Sequence, residues 1–269
     1  MNRVDTVFAN LKRERRKAFM PFIAAGDPNL VATGRILRTL QDRGAADLVE
    51  LGVPYSDPIA DGPVIQASYQ RALAGGCTPQ GIFDMLADAR ANGLVLPVCL
   101  MTSYSLVVRP GIEDFIGRAH KAGIDGLIVP DLPVDEAGPL AKALAGAGMS
   151  HILLIAPTTS PARREKIVAG ATGFIYCISV AGITGERTAL PAHLADYVRG
   201  VKKAAKVPVC VGFGIAQPEQ VAAVAQVADG AIVGSAIVRH IAEHAGETVD
   251  QIGETVAEFC KTLAAPLRK

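Results

Sequence analysis

Eight apolar runs of strand length recur along the 269-residue chain, and nothing else in the sequence restricts its architecture as tightly. They fall at residues 19–25, 47–52, 97–102, 126–129, 151–156, 173–179, 207–212 and 230–233. The runs are continuous rather than alternating, the pattern of parallel strands covered on both faces. Between them lie helical patterns at 29–43, 78–92, 112–122, 134–147, 160–169, 190–205 and 217–227. Each begins near Asp, Asn, Ser, Thr or Pro, and several end at glycine. Eight strand–helix units in a chain of this length predict an α/β fold, a single (β/α)₈ TIM barrel over residues 1–269, rather than an open doubly wound sheet. Residues 2–14 read as an extra amphipathic helix covering the barrel bottom, and 247–264 as the last outer helix.

Half the residues are hydrophobic, tryptophan is absent and the net charge is +1. A large aliphatic core is therefore available, and no broad attraction to nucleic acid or an anionic membrane is expected. The uncharged stretches 91–108 and 167–185 are broken by Pro97 and by glycines, so neither reads as a membrane span. The five cysteines form no C-x-x-C pair and three lie in apolar runs, which points to free buried thiols in a reducing, cytoplasmic setting. The basic run 12–17 reads as a solvated helix end.

Function in such barrels sits at the C-terminal ends of the strands. Glu50 lies inside the second run, on the same face as Leu48 and opposite Val49 and Leu51. In the lumen it would be desolvated, and its raised pKa would let it give and take a proton. Pro54, Pro58, Gly62 and Pro63 break the chain after that strand, so Asp57 and Asp61 belong to a loop. Asp61 is expected to keep more water and stay ionised, giving two carboxylates with separated pKa values. The alternatives are an arginine ion pair for Glu50 and a turn or helix cap for Asp61. Gly185, Gly214, Gly234 and Ser235 follow strands six to eight, and Gly234-Ser235 opens a helical stretch, a suitable cradle for phosphate. No lysine lies in any of the eight runs, which counts against a Schiff base. The order His240-Ile-Ala-Glu243-His244 matches an inverted zinc-protease motif but falls on an outer helix, so no metal site is expected.

The stretch Glu50-Leu-Gly-Val-Pro-Tyr-Ser-Asp-Pro-Ile-Ala-Asp61-Gly-Pro resembles the signature of the tryptophan synthase alpha-subunit family. The resemblance extends to Pro21-Phe-Ile-Ala-Ala-Gly-Asp-Pro28, Val129-Pro-Asp-Leu-Pro133, Ala156-Pro-Thr-Thr159, the segment 179–185 and Val211-Gly-Phe-Gly-Ile215. It implies a metal-free retro-aldol cleavage of indole-3-glycerol phosphate, with Glu50 as general acid/base and Asp61 on the indole N–H. It also implies that Tyr176 lies close to Glu50, that Phe22 and Phe213 line an indole pocket, and that the loops 54–63 and 179–190 are lids, with Thr184 meeting Asp61. The glycine cradle would hold the substrate phosphate. No cofactor is implied in this chain. Pyridoxal phosphate belongs to the beta subunit, the partner in an α2β2 assembly that receives the indole. A stand-alone lyase releasing free indole is the alternative, and a non-catalytic activator of the beta subunit is a third reading. Ala24 and Tyr55 depart from the threonine and phenylalanine common in the family.

Overall fold

In a computed structural model, which describes residues 2–58, 61–179, 194–212 and 214–268, eight parallel strands close into a barrel in the order β1 to β8. The chain opens with α1 (Arg3–Arg13), then runs β1 (Ala18–Ala24), α2 (Leu30–Asp42), β2 (Val49–Gly52), α3 (Pro63–Ala74) and α4 (Pro79–Ala91). It continues with β3 (Val98–Met101), α5 (Tyr104–Val108), α6 (Ile112–Lys121), β4 (Gly126–Ile128), α7 (Gly138–Gly146), β5 (Ser150–Ile155) and α8 (Pro161–Gly170). The last third holds β6 (Ile175–Ile178), α9 (Leu194–Ala204), β7 (Val209–Gly212), α10 (Pro218–Ala225), β8 (Gly230–Val233), α11 (Ser235–Glu243) and α12 (Val249–Ala264). Pairing of β8 with β1, through Ala18 opposite Gly230 and Met20 opposite Ile232, closes the ring. All eight expected strands are present.

The helices begin where polar side chains can satisfy their first N–H groups. Asn29 accepts from Ala32 N at 2.8 Å, Thr78 from Gly81 N at 3.1 Å, and Thr248 forms a capping box with Gln251. Five strands, β2, β3, β4, β6 and β7, are shorter than their apolar runs. β2 starts at Val49, and ahead of it the Asp47 carboxylate accepts from Phe19 N at 2.8 Å. Helix α7 starts later than its apolar pattern does, at Gly138, with residues 133–137 taken up by turns.

Strand alternation separates two cores. Val49, Leu51, Leu100, Leu127, Val211 and Val233 pack outward against the helices. Met20, Leu48, Cys99, Ile128, Ile152, Tyr176, Cys210 and Ile232 fill the lumen. Helix α1 closes the base of that lumen, as the amphipathic pattern predicts. Its buried residues Val4, Phe8 and Leu11 belong to the lumen cluster, and the Phe8 ring lies 5.8 Å from that of Phe174. Asn2 donates to Ser150 Oγ at 2.7 Å and Arg3 to Asp125 at 2.7 Å, fixing the helix to β5 and to the approach to β4. The five cysteines are free and buried. Among the described residues no helix is long and apolar enough to cross a membrane.

Candidate active site

With the base closed by α1, the open end of the lumen is the C-terminal one, and Glu50 stands there. It pairs in register with Phe22 of β1 on one side and Cys99 of β3 on the other. Its neighbours Val49 and Leu51 face the outer core, so its own side chain shares the lumen with Leu48. Glu50 is fully buried, and among the described residues neither carboxylate oxygen has a hydrogen-bond partner. The arginine ion pair considered as an alternative is therefore not formed among the described residues. Burial alone holds its carboxyl well above the ordinary glutamate range. Burial of this kind disfavours the charged form of the carboxyl.

Tyr176 of β6 belongs to the same buried cluster. Its phenol is pushed up first by burial and then by the Glu50 and Asp61 carboxylates, which places it between the two acids electrostatically. Two glycines make room for the aromatic rings. A Cβ on Gly212 would overlap the Tyr176 hydroxyl and come within 2.7 Å of its Cζ. A Cβ on Gly52 would overlap the Phe22 ring and come within 2.6 Å of the Tyr69 hydroxyl. Only a residue without a side chain fits at these two strand ends. Phe22 thus spans from the end of β2 toward the end of β8, where a Cβ on Gly234 would lie 3.6 Å from its own Cβ.

Asp61 immediately precedes Gly62, the N-cap of α3, and Pro63 at its first turn. Its carbonyl accepts from Gln66 Nε2 at 2.8 Å, which ties the end of the loop to the helix. The carboxylate is less solvated than the sequence suggests. Burial raises its pKa to about 6, against the expectation of a well-hydrated, unshifted group. It still titrates below neutrality, and Glu50, with no exposure at all, remains the more perturbed acid. Next to Asp61 a cavity of about 310 Å³ opens over the ends of β2, β3 and β4, lined by Val53, Asp57, Tyr69, Met101 and Asp131 among others. Asp131 is held in place by Ser103 Oγ at 2.7 Å and Tyr104 N at 2.9 Å. Glu50 lies below this cavity rather than in its wall.

On the opposite side of the barrel end, α11 starts at Ser235 with Gly234 as its N-cap, and no side chain caps it. The helix dipole and the unfilled N–H groups of its first turn make this end anion-seeking. Gly214 takes a positive φ of 78° just after β7, as the glycine cluster predicts. Phe213, Thr184 and Gly185 lie outside the described residues, as do 59–60 and 180–190 of the two expected lids. The paired imidazoles of the zinc-like pattern are engaged elsewhere: His240 Nε2 lies 3.3 Å from Thr255 O, and His244 Nδ1 2.8 Å from His240 O.

Residues 8–267 match the family model described as tryptophan synthase alpha chain. The chain belongs to the tryptophan synthase alpha-chain family. The tryptophan synthase alpha chain of Carboxydothermus hydrogenoformans is 45% identical to it over 265 residues, covering 98% of each chain. A crystal structure of tryptophan synthase subunit alpha from Legionella pneumophila superposes with a TM-score of 0.90 at 35% identity, over 99% of this chain and 98% of that one. A structure of Mycobacterium tuberculosis tryptophan synthase gives 0.89 at 33% identity, over 100% and 99%.

In this alpha-chain family member the sequence reading passed over Tyr69. Its hydroxyl reaches Gly52, and its phenol is raised by burial and then by Asp61. On sequence it is one more residue of the buried stripe of α3, with Ile65, Ser68 and Ala72, and its phenol hydroxyl is the one signal it gave. Gln66, which anchors the loop carrying Asp61, also gave no signal, because a glutamine in a first helical turn is ordinary.

Proposed function

We propose that this alpha-chain family member is a lyase. It cleaves indole-3-glycerol phosphate to indole and glyceraldehyde 3-phosphate by a metal-free retro-aldol reaction. The observation that carries the reading is the Glu50 carboxyl, fully buried and without a hydrogen-bond partner among the described residues. A neutral acid is what the first step requires. Glu50 gives its proton to indole C3, producing a cationic indolenine, and becomes a carboxylate. That carboxylate then takes the proton of the glycerol hydroxyl. As the aldehyde carbonyl forms, the C–C bond breaks and its electron pair returns to the ring, giving neutral indole and regenerating the acid.

Asp61, ionised above a pKa of about 6, receives the indole N–H and stabilises the positive ring. Phe22, Tyr176 and Phe213 supply apolar and aromatic walls. The phosphate rests on Gly185, Gly214, Gly234 and Ser235, where the uncapped start of α11 favours an anion. Thr184 closes toward Asp61. Lid closure removes water and strengthens every interaction inside. The indole passes to a pyridoxal-phosphate-dependent beta subunit, in an α2β2 complex in the cytoplasm, for L-tryptophan synthesis. Kinship with Mycobacterium tuberculosis tryptophan synthase supports that partner.

The test is indole release from indole-3-glycerol phosphate by the wild type and by Glu50→Gln, with and without a beta chain and a metal chelator. Glu50→Gln should lose about 10²–10⁴-fold in turnover, the usual worth of a positioned proton-transfer group. Wild-type turnover should rise with the beta chain and ignore the chelator. A variant as fast as the wild type, or a substrate–lysine adduct trapped by borohydride, would remove the mechanism. Undiminished turnover without the beta chain would favour a stand-alone lyase.

A further inference from the structure

The basic run 12–17 borders a cleft that the catalytic reading does not use. The cleft encloses about 720 Å³ on the N-terminal face of the barrel, between α1, the approach to β1 and the connection from α9 to β7. That is the size of a small-molecule site. It is lined by Lys12, Arg15, Arg16, Lys17, Lys202 and Lys206, against the two carboxylates of Asp5 and Asp229. The whole chain carries a net charge of only +1, so this excess is local.

Helix ends explain part of it. Lys12 and Lys202 lie in the last turns of α1 and α9, where the dipole favours a cation. Arg15, Arg16, Lys17 and Lys206 lie beyond both helices and converge from segments remote in sequence. The available carboxylates are already engaged. Asp229 accepts from Val209 N at 3.0 Å and holds Lys202 at 2.7 Å and Lys17 at 3.5 Å. Arg16 bridges Glu14 at 2.9 Å and Asp47 at 3.3 Å. Lys12, Arg15 and Lys206 are exposed and have no ion-pair partner among the described residues. Arg15 is, among the described residues, the one non-glycine with a positive φ, 57°, a conformation that glycine or asparagine adopts more readily. Phe8, Leu11, Val207 and Pro208 give the cleft an apolar wall.

We infer that this cleft binds a small organic polyanion with a flat apolar body, of the class of a nucleoside polyphosphate. The phosphates meet Lys12, Arg15 and Lys206, and the base lies against the apolar wall. Charge-assisted contacts to phosphate need unengaged cations, and these three are the ones free to make them.

The probe is ATP without divalent metal, titrated calorimetrically into the full chain at low ionic strength. The cleft variant Lys12→Gln/Arg15→Asn/Lys206→Gln is compared with Lys121→Gln/Lys142→Gln/Lys203→Gln, which removes the same charge from exposed positions outside the cleft. ATP should bind the wild type and the second variant with one-to-one saturation. The cleft variant should bind at least about tenfold more weakly, because three exposed contacts of modest individual worth are lost together. Affinity should fall as salt rises, and indole release should be the same in all three proteins. The inference fails if ATP does not saturate at millimolar concentration, or if both variants weaken equally. It fails too if indole-3-glycerol phosphate displaces the ATP, or if a single-stranded oligonucleotide binds more tightly than ATP at equal phosphate.

Discussion

Replacing Asp61 by asparagine should stabilise the fold while removing activity, and the gain should depend on pH. Burial raises the Asp61 pKa from 3.8 to about 6, with no compensating cation. The native state therefore holds this proton more tightly than the unfolded chain does. Its contribution to stability is fully present below pH 3.8 and is lost as the pH rises through about 6. At about 1.4 kcal/mol per pKa unit, the loss is about 3 kcal/mol at most. Asparagine has nearly the same shape and does not titrate, and Gln66 bonds the Asp61 carbonyl rather than its side chain, so that tether survives. The difference in unfolding free energy between Asp61→Asn and wild type should be smallest at pH 4 and grow up to pH 6.5. Beyond that it should stay level. Urea denaturation of both proteins at half-unit intervals from pH 4 to 8 measures it. Indole release at pH 7.5 should fall by about 10²-fold or more, the scale of removing one electrostatic partner of a transition state. A difference that is flat across this range, or an asparagine variant less stable than wild type at pH 7, would refute the idea that the carboxylate is held against its solvation preference.

The same titration should appear in the rate. Wild-type kcat/KM should fall below a pH of about 6 as Asp61 takes up a proton, and that limb should be missing from Asp61→Asn, as pH profiles of both would show. Gly212→Ala should slow indole release by at least about tenfold and cost about 1–3 kcal/mol in urea melts, because its methyl collides with the Tyr176 ring. Phe8→Ala empties part of the lumen base and should cost about 3–5 kcal/mol, with kcat at 25 °C unchanged in the folded fraction, since α1 lies at the opposite end of the barrel from Glu50.

Much of this architecture is legible in the sequence because parallel barrel strands are covered on both sides and show as unbroken apolar runs. Glu50 stood out for the same reason, a carboxylate in such a run, and the two-residue repeat placed it beside Leu48 in the lumen. What escaped depends on contacts between distant segments. The Asp47 carboxylate accepts from Phe19 N, which no local pattern announces. Helix α5, five residues long, is too short to carry a periodicity. The hydration of Asp61 was overestimated because a loop rich in proline and glycine reads as solvated, while here burial raises its pKa and it shares a cavity with Tyr69. Tyr69 itself looks like packing until its hydroxyl is seen against Gly52. The run 12–17 illustrates the converse: only Lys12 and Arg13 belong to the helix, while Arg16 pairs with Asp47 and Lys17 with Asp229, partners that the local sequence cannot reveal.

The seating of α1 has a consequence for biosynthesis. This helix leaves the ribosome well ahead of the residues it rests on, since Asp125, Ser150 and Phe174 are translated more than a hundred positions later. Until Phe174 is available the Phe8 ring lacks its aromatic partner, so the nascent chain carries a greasy amphipathic segment while β2 to β5 are made. Such sequence-distant closure slows maturation and leaves a natural handle for chaperones.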